Sequence, residues 1–250
     1  IRKYMDHIYD VTDYQGNNII QKWTKDNLQK IFKSLDKPYA TVNSQFSEII
    51  KRLDRKPITI YSPIMTKRLL ETLECYKIFD PCIGWGGRML GTTSIPGHYT
   101  GCEPNKETFR QLQKMIKDLK IEEQITIYNE PIEDMLSKLE GEYFDACLTS
   151  PPYYDLEIYS DEETQSIKQY KTYEEWLNKF IRPIIKYVCE HVIYYSCWSV
   201  KNFKTDQKYN LLDDVIQIHN DYGWKLIKEH SIKSPNGEGD TTYIFSQIQI

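Results

Sequence analysis

The sequence predicts an α/β fold: a mostly parallel seven-stranded sheet covered by helices, with an antiparallel hairpin at its C-terminal end. Three observations predict it. From residue 57 onward, short apolar runs alternate with longer amphipathic stretches, the pattern of strand–helix–strand units. Asp80, Glu103 and Ser150 each fall where one of those apolar runs ends. The last two runs, "WKLIKEHSIK" and "TTYIFSQIQI", have no helix between them, only the turn-forming "SPNGEGD".

A polar, helical region, residues 1–56, precedes the sheet. Leu28, Ile31, Phe32 and Leu35 fall at helical spacing, and so do Phe46, Ile49, Ile50 and Leu53. Ser44 can cap the second of these helices, and Pro57 stops it. "SPIMTKRLLETL" predicts a helix with Pro63 at its first position. "YKIFD" is then a strand ending at Asp80, followed by a glycine-rich turn and a short helical run. "HYTGCE" is the next strand, "NKETFRQLQKMIKDL" an amphipathic helix, "ITIYN" a third strand and "PIEDMLSKL" a short helix. "YFDACLTS" is a fourth strand. "TYEEWLNKFIRPIIKYV" predicts a helix kinked near Pro183, and "HVIYYSCWS" a fifth strand. "NLLDDVIQIHNDYG" predicts a helix closed by Gly223. Ligands of such sheets bind beyond the carboxyl ends of the strands, where Asp80, Glu103 and Ser150 are expected.

Composition narrows the function classes. No stretch approaches about 18 consecutive apolar residues, so no membrane span is expected. The polar, charged start is unlike a signal peptide, and an intracellular protein, cytoplasmic or with the genome and not secreted, is expected. Cys75, Cys82, Cys102, Cys147, Cys189 and Cys197 lie among apolar neighbours without C-x-x-C pairing, which reads as free core thiols. His7, His98, His191, His219 and His230 show no metal-ligand spacing, so no metal is expected. The net charge of −4 is unevenly spread: residues 1–56 carry 11 Lys/Arg against 7 Asp/Glu, a net of +4. A basic lobe on an acidic body suits a nucleic-acid partner, with Lys51, Arg52, Arg55 and Lys56 as its phosphate candidates against the plainer reading of a solvated helix face. The chain starts at Ile1 without methionine and stops inside an apolar run, so a piece of a longer protein is expected.

Two stretches carry chemistry. In "FDPCIGWGGRMLG", Gly84, Gly86 and Gly87 follow a strand and open a helix, where backbone can approach a ligand and N–H donors are exposed. Asp80 at the strand tip can accept from an ammonium, and Glu103, about 20 positions on, from two ribose hydroxyls. The dinucleotide fingerprint itself is incomplete, because Met89 stands where its third glycine would be. In "TSPPY", consecutive prolines fix φ and remove donors, so neighbouring acceptors are aimed without competition. Ser150 Oγ and the Pro151 carbonyl can accept both hydrogens of an exocyclic base amine. That lets its nitrogen pyramidalise and direct its lone pair at an electrophile. Tyr153 can stack on the base.

"DPCIGWGGR", "GCEPN" and "TSPPYY" together resemble the S-adenosylmethionine-dependent amino-methyltransferases of DNA, over about residues 57–250. The resemblance implies a Rossmann-like methyltransferase catalytic domain there; residues 1–56, outside it, read as a separate helical region whose charge suits contact with nucleic acid. It implies S-adenosylmethionine as cofactor, held by Asp80, Pro81, Cys82, Gly84, Gly86, Gly87, Glu103, Pro104, Ile132 and Glu133. The segment from Tyr61 would help close that site, and "NEPIED" would border the adenine. Ser150, Pro151, Pro152 and Tyr153 would be the catalytic motif, with Tyr154 and Tyr159 as further stacking candidates. DNA is the implied partner, its target base flipped into the site. Ser150, in place of the aspartate common among adenine enzymes, implies cytosine N4 as target. The alternatives are an N6-adenine enzyme of DNA or RNA, and a non-catalytic methyltransferase-like subunit.

The sequence departs from the family where Trp85 and Arg88 make the glycine turn bulky. Trp85 walls the pocket or packs in the core, and Arg88 meets a phosphate or pairs with an acid. No long recognition insertion is present. The candidates for target recognition are "DLEIYSDEETQSIKQYK", "KNFKTDQKYN", the basic N-terminal helices, or a partner subunit or domain outside this chain. A restriction-modification or viral self-marking role is implied by the family alone.

Overall fold

The computed structural model describes residues 1–33, 48–49, 53, 60–231 and 241–247. Its centre is a sheet of seven strands: β1 (Lys77–Asp80), β2 (His98–Cys102), β3 (Ile125–Tyr128), β4 (Phe144–Thr149), β5 (Val192–Trp198), β6 (Lys225–Ser231) and β7 (Thr241–Ser246). They lie in the order β3-β2-β1-β4-β5-β7-β6. The first five run parallel to their neighbours, and β7 sits antiparallel between β5 and β6. A parallel strand covered on both faces needs a near-continuous apolar run. "FDACLT" of β4 is one, buried at all but one position.

Successive residues of each strand serve opposite faces of the sheet. Phe79, Cys147, Trp198 and Phe245 enter one core with Trp176 and Trp224. Their neighbours Ile78, Leu148, Cys197 and Ile244 enter the other, with Leu69, Tyr99 and Leu112. All six cysteines carry free thiols.

The connecting helices are α1 (Pro63–Leu73), α2 (Gly87–Thr92), α3 (Lys106–Leu119), α4 (Ile132–Met135), α5 (Arg182–His191) and α6 (Leu211–Asp221). Pro63 opens α1, where its fixed φ fits and its missing N–H costs nothing. The Asn105 side chain caps α3 by accepting from the Thr108 N–H. The helix expected to kink near Pro183 is built in three parts: Tyr173–Trp176, a π turn Leu177–Ile181, and α5. The wider turn accommodates the backbone where Pro183 has no N–H to give.

The first residues differ from the helical expectation. Tyr4 and Met5 are buried in the second core, Asp6–Tyr9 is a 3₁₀ turn, and Thr12–Asp13 pairs antiparallel with Glu157–Ile158. So short a segment gains more from docking its apolar side chains than from a free-standing helix. Beyond it, Ile19–Lys22 and Lys25–Lys33 are helical. Ile31 is buried with Ile49 and Leu53 as the spacing predicts, while Phe32 is exposed. Leu35, Ser44, Phe46, Ile50, the basic residues Lys51, Arg52, Arg55 and Lys56, Pro57 and the "SPNGEGD" loop lie outside the described residues. Among the described residues, no helix is long and apolar enough to cross a membrane.

Candidate active site

The carboxyl ends of β1, β2, β4 and β5 deliver their following residues to one cavity of about 1330 Å³. It opens where the chain order reverses between β1 and β4, the position at which open α/β sheets bind ligands. Eight of the ten residues predicted to bind cofactor are on its wall, and so are all four of the predicted catalytic turn. Asp80 and Gly86 are not.

Asp80 is fully buried and its carboxylate is occupied from within. It accepts from Arg88 Nε at 2.7 Å, Tyr99 Oη at 2.6 Å, Thr149 Oγ1 at 3.0 Å and the Cys82 N–H at 3.1 Å. The expectation that Asp80 meets a ligand ammonium directly is therefore corrected. The bulky Arg88 takes that place and turns Asp80 into a strut joining β1, β2, β4 and the glycine turn. Burial works against the Arg88 charge, but Asp80 and Tyr99 outweigh it and hold the guanidinium above its ordinary pKa. Arg88 Nη2 also donates to the Cys82 carbonyl, so the turn is braced from both sides. The acid-pairing reading of Arg88 holds.

The three glycines divide by task. Gly84 has φ +58° and nothing within 4 Å of where a Cβ would stand, so its backbone faces open cavity. A Cβ on Gly87 would lie 2.0 Å from the Tyr61 carbonyl oxygen, so this glycine admits the segment before α1, and Tyr61 reaches the cavity wall. Gly86 packs against Leu112 and Met115 and serves the core, which corrects its assignment to the ligand. Trp85 fulfils both of its readings. It lines the cavity, packs against the second core, and meets His7 edge-on at 5.3 Å and Tyr159 at 6.1 Å.

Glu103, just past β2, accepts the Gly84 N–H at 3.0 Å on one oxygen and the Asn105 N–H at 2.9 Å on the other. Burial pushes its carboxyl up to about 7 despite those two bonds. Asn129 donates to the carbonyls of Glu103 and Pro104 and fixes this corner. Ile132 and Glu133 of α4 complete that end of the wall with Pro131. Burial raises Glu133 above the usual carboxylate range, and the Tyr170 hydroxyl donates to it. Cys82 also lines the cavity, and burial holds its thiol protonated, far from a nucleophilic thiolate.

At the other end, the Ser150 hydroxyl donates to the Ser199 carbonyl at 3.0 Å. Its one proton is thereby committed, so toward the cavity Ser150 Oγ can only accept. Ser199 is itself held to the sheet by its N–H bond to Thr149. Tyr153 lines the cavity edge-on to Phe203, with centroids 5.1 Å apart. Tyr154 points the other way, buried among Tyr173, Trp176 and Tyr209, which corrects its place among the stacking candidates. Tyr159 is on the wall.

Sequence reasoning missed what covers the cavity. Residues 156–169 contribute Leu156, Glu157, Gln165 and Gln169 to its lining. Gln165 holds that cover in shape through the Tyr159 N–H and the Glu157 carbonyl. The N-terminus fastens it through the Thr12–Asp13 pairing, while His7 bonds Thr108 at 2.9 Å beneath. No sequence signal tied residues 7–13 to a segment some 145 positions away, because a two-residue strand has no readable period. Among the described residues, no group of His, Cys, Asp and Glu is arranged to hold a metal.

Strand order and site position together define the Rossmann-like methyltransferase fold. Solved structures share it at low identity. NSun6 from Pyrococcus horikoshii, with SFG, matches at TM-score 0.53 and 15% identity over 77% of this chain and 53% of that one. A candidate rRNA methylase from Clostridium thermocellum matches at TM-score 0.50 and 10% identity over 77% and 99%. A precorrin 8W decarboxylase from Methanobacterium thermoautotrophicum matches at TM-score 0.51 and 9% identity over 76% and 93%. At such identities the likeness is one of fold. No protein-family model and no curated protein matches the chain.

Proposed function

We propose that the chain is an S-adenosylmethionine-dependent methyltransferase that methylates the N4 amine of cytosine in DNA. The observation that carries this reading is the acceptor-only state of Ser150 Oγ on the wall of the same cavity as Gly84 and Glu103. A base amine offers hydrogens and needs acceptors. A turn with two prolines and a committed serine proton presents acceptors and withholds donors.

The residues present fit the cofactor. Glu103 keeps lone pairs for the ribose hydroxyls, Gly84 leaves space beside its backbone, and Ile132 with Glu133 offers an apolar face and an acceptor for adenine. When bound, S-adenosylmethionine supplies an electrophilic methyl on its sulfonium. The chain's own work lies at the amine. Ser150 Oγ and the Pro151 carbonyl accept its two hydrogens and localise the nitrogen lone pair. Tyr153 stacks on the flipped ring. The rigid strand ends hold both reactants in alignment, and the surplus proton leaves to solvent. Residues 1–56, whose first part docks on the cavity cover, are a region suited to contact the nucleic acid.

The test is incubation with isotopically labelled S-adenosylmethionine and mixed-sequence duplex DNA, then digestion and mass spectrometry of the nucleosides. Labelled N4-methyldeoxycytidine is the expected product. Labelled N6-methyldeoxyadenosine, or a product only with RNA, would overturn the substrate and keep the chemistry. Failure to bind the cofactor at millimolar concentration would overturn the enzyme reading itself.

A further inference from the structure

The segment after β5 forms a small hairpin at the Ser-Pro-Pro-Tyr end of the cavity. Phe203–Lys204 pairs antiparallel with Lys208–Tyr209, placing Phe203 opposite Tyr209 and Lys204 opposite Lys208. The hairpin is fastened to the turn that carries Ser150. Asp155 Oδ2 accepts from Thr205 Oγ1 at 3.0 Å and from the Tyr209 hydroxyl at 2.8 Å. Phe203 packs edge-on to Tyr153 and stacks on Tyr209 at 4.7 Å.

Its exposed side carries three lysines and one acid, Asp206 at the turn, together with Asn202 and Gln207. Phe203, Thr205 and Tyr209 are buried, while Lys201, Lys204 and Lys208 are exposed. Lys201 and Lys204 reach the cavity wall. None of the three lysines makes an ion pair among the described residues. Like charges directly opposite each other across a strand pair are unfavourable, and the Lys204–Lys208 pairing is one. An anion between or above them would remove that repulsion. The far end of the cavity is lined instead by carboxylates, Glu103 and Glu133. A chain of phosphates is therefore better matched by the hairpin's lysines than by that carboxyl-lined end.

Resting on the reading above, we propose that the hairpin of residues 201–209 grips the phosphodiester backbone of the polynucleotide whose base enters the cavity, through Lys201, Lys204 and Lys208. Because Asp155 and Phe203 tie it to the Ser150 turn, a backbone held there is held in register with the amine acceptors. Phosphate contacts of this kind position without reading sequence.

The test uses the whole chain and two fluorescent probes, a mixed-sequence DNA duplex and an RNA of the same sequence, in anisotropy titrations over a range of salt. The variant Lys201→Gln/Lys204→Gln/Lys208→Gln is compared with Lys114→Gln/Lys117→Gln/Lys120→Gln. The latter makes the same charge change on the C-terminal half of α3 and its C-cap Lys120, away from the carboxyl ends of the strands. Each lost phosphate contact flattens the slope of log affinity against log salt by about 0.9 on duplex DNA, and by about 0.7 on single strands. The hairpin variant should bind about tenfold or more weakly, with a clearly shallower slope on the polymer that supplies the backbone. The α3 variant should bind as the wild type does, and both should melt with it. An unchanged slope in the hairpin variant, an equal loss in both variants, or no binding of either polymer by the wild type would overturn the hairpin's role. Methylated nucleoside from the wild-type chain reports separately on the parent reading. Product with an unchanged slope removes the hairpin's role and keeps the activity. A lost slope without product does the reverse.

Discussion

Arg88 Nε donates to Asp80 Oδ2 at 2.7 Å with both side chains closed to solvent, so an ion pair stands where the fold's first acidic tip was expected to meet a ligand. Breaking such a pair leaves one buried charge without its partner. Arg88→Met should cost about 3–5 kcal/mol in urea unfolding. Adding Asp80→Asn should lose less than the sum of the two single variants, since the partners are in direct contact. A loss under about 1 kcal/mol for Arg88→Met would show that the pair does not brace the turn.

Ser150→Ala removes an acceptor and leaves the cofactor end untouched. Turnover on DNA should fall about 10²–10³-fold, the size seen when one aligned polar group at a reacting centre is lost. Cofactor affinity by calorimetry should stay within about twofold, because the proposed role of Ser150 is at the amine. A matched loss of cofactor affinity would place Ser150 at the wrong end of the cavity.

Glu103 makes stability and binding depend on pH in opposite directions. Its carboxyl is raised from 4.5 to about 7 by burial. Between those values the native state keeps a proton that the unfolded chain has released, so this group's contribution to stability falls as pH rises through that window. The urea midpoint of the wild type relative to Glu103→Gln should therefore decline from pH 4.5 to 7 and level off above. If, as proposed, the Glu103 carboxylate accepts from the ribose hydroxyls, affinity for adenosine should rise over the same range. A flat difference curve would refute the raised carboxyl.

The glycine turn separates two kinds of strain. Gly87→Ala drives a Cβ to 2.0 Å from the Tyr61 oxygen, so backbone must move, at a cost of about 1–3 kcal/mol. Gly84→Ala meets no atom and carries only the left-handed penalty of about 1–2 kcal/mol. Fluorescence of Trp85 should change in both, but thermal unfolding should fall further in Gly87→Ala.

The sheet was legible because each strand's burial is written locally. "KIFD" and "FDACLT" are apolar on both faces, and Pro63, Asn105 and Gly223 punctuate helices by their own backbone chemistry. The cavity wall was legible for a related reason: residues at strand ends share one edge whatever the loops do. Side-chain direction was not. Tyr153 and Tyr154 are adjacent, yet one faces the cavity and the other the aromatic core, a difference set by Phe203 and Trp176 far along the chain. Asp80 was misjudged because its partner Arg88 sits eight residues on, and only the fold of the turn brings the two together. The docking of Tyr4, Met5 and Thr12–Asp13 depends wholly on distant surfaces.

One ladder has a larger role than its length suggests. β1 and β4 meet in only two registered pairs, Ile78 with Ala146 and Phe79 with Cys147. Everything at the Glu103 end hangs from β1 and its neighbours, and everything at the Ser150 end from β4 and β5. A slip of one residue between those strands would slide the two ends past each other by about 3.3 Å and turn the β4 side chains inside out. Four apolar residues in the middle of the sheet, none of them on the cavity wall, thus act as its ruler. Substitutions there should recalibrate the gap between the Glu103 and Ser150 ends without touching a single polar group in either.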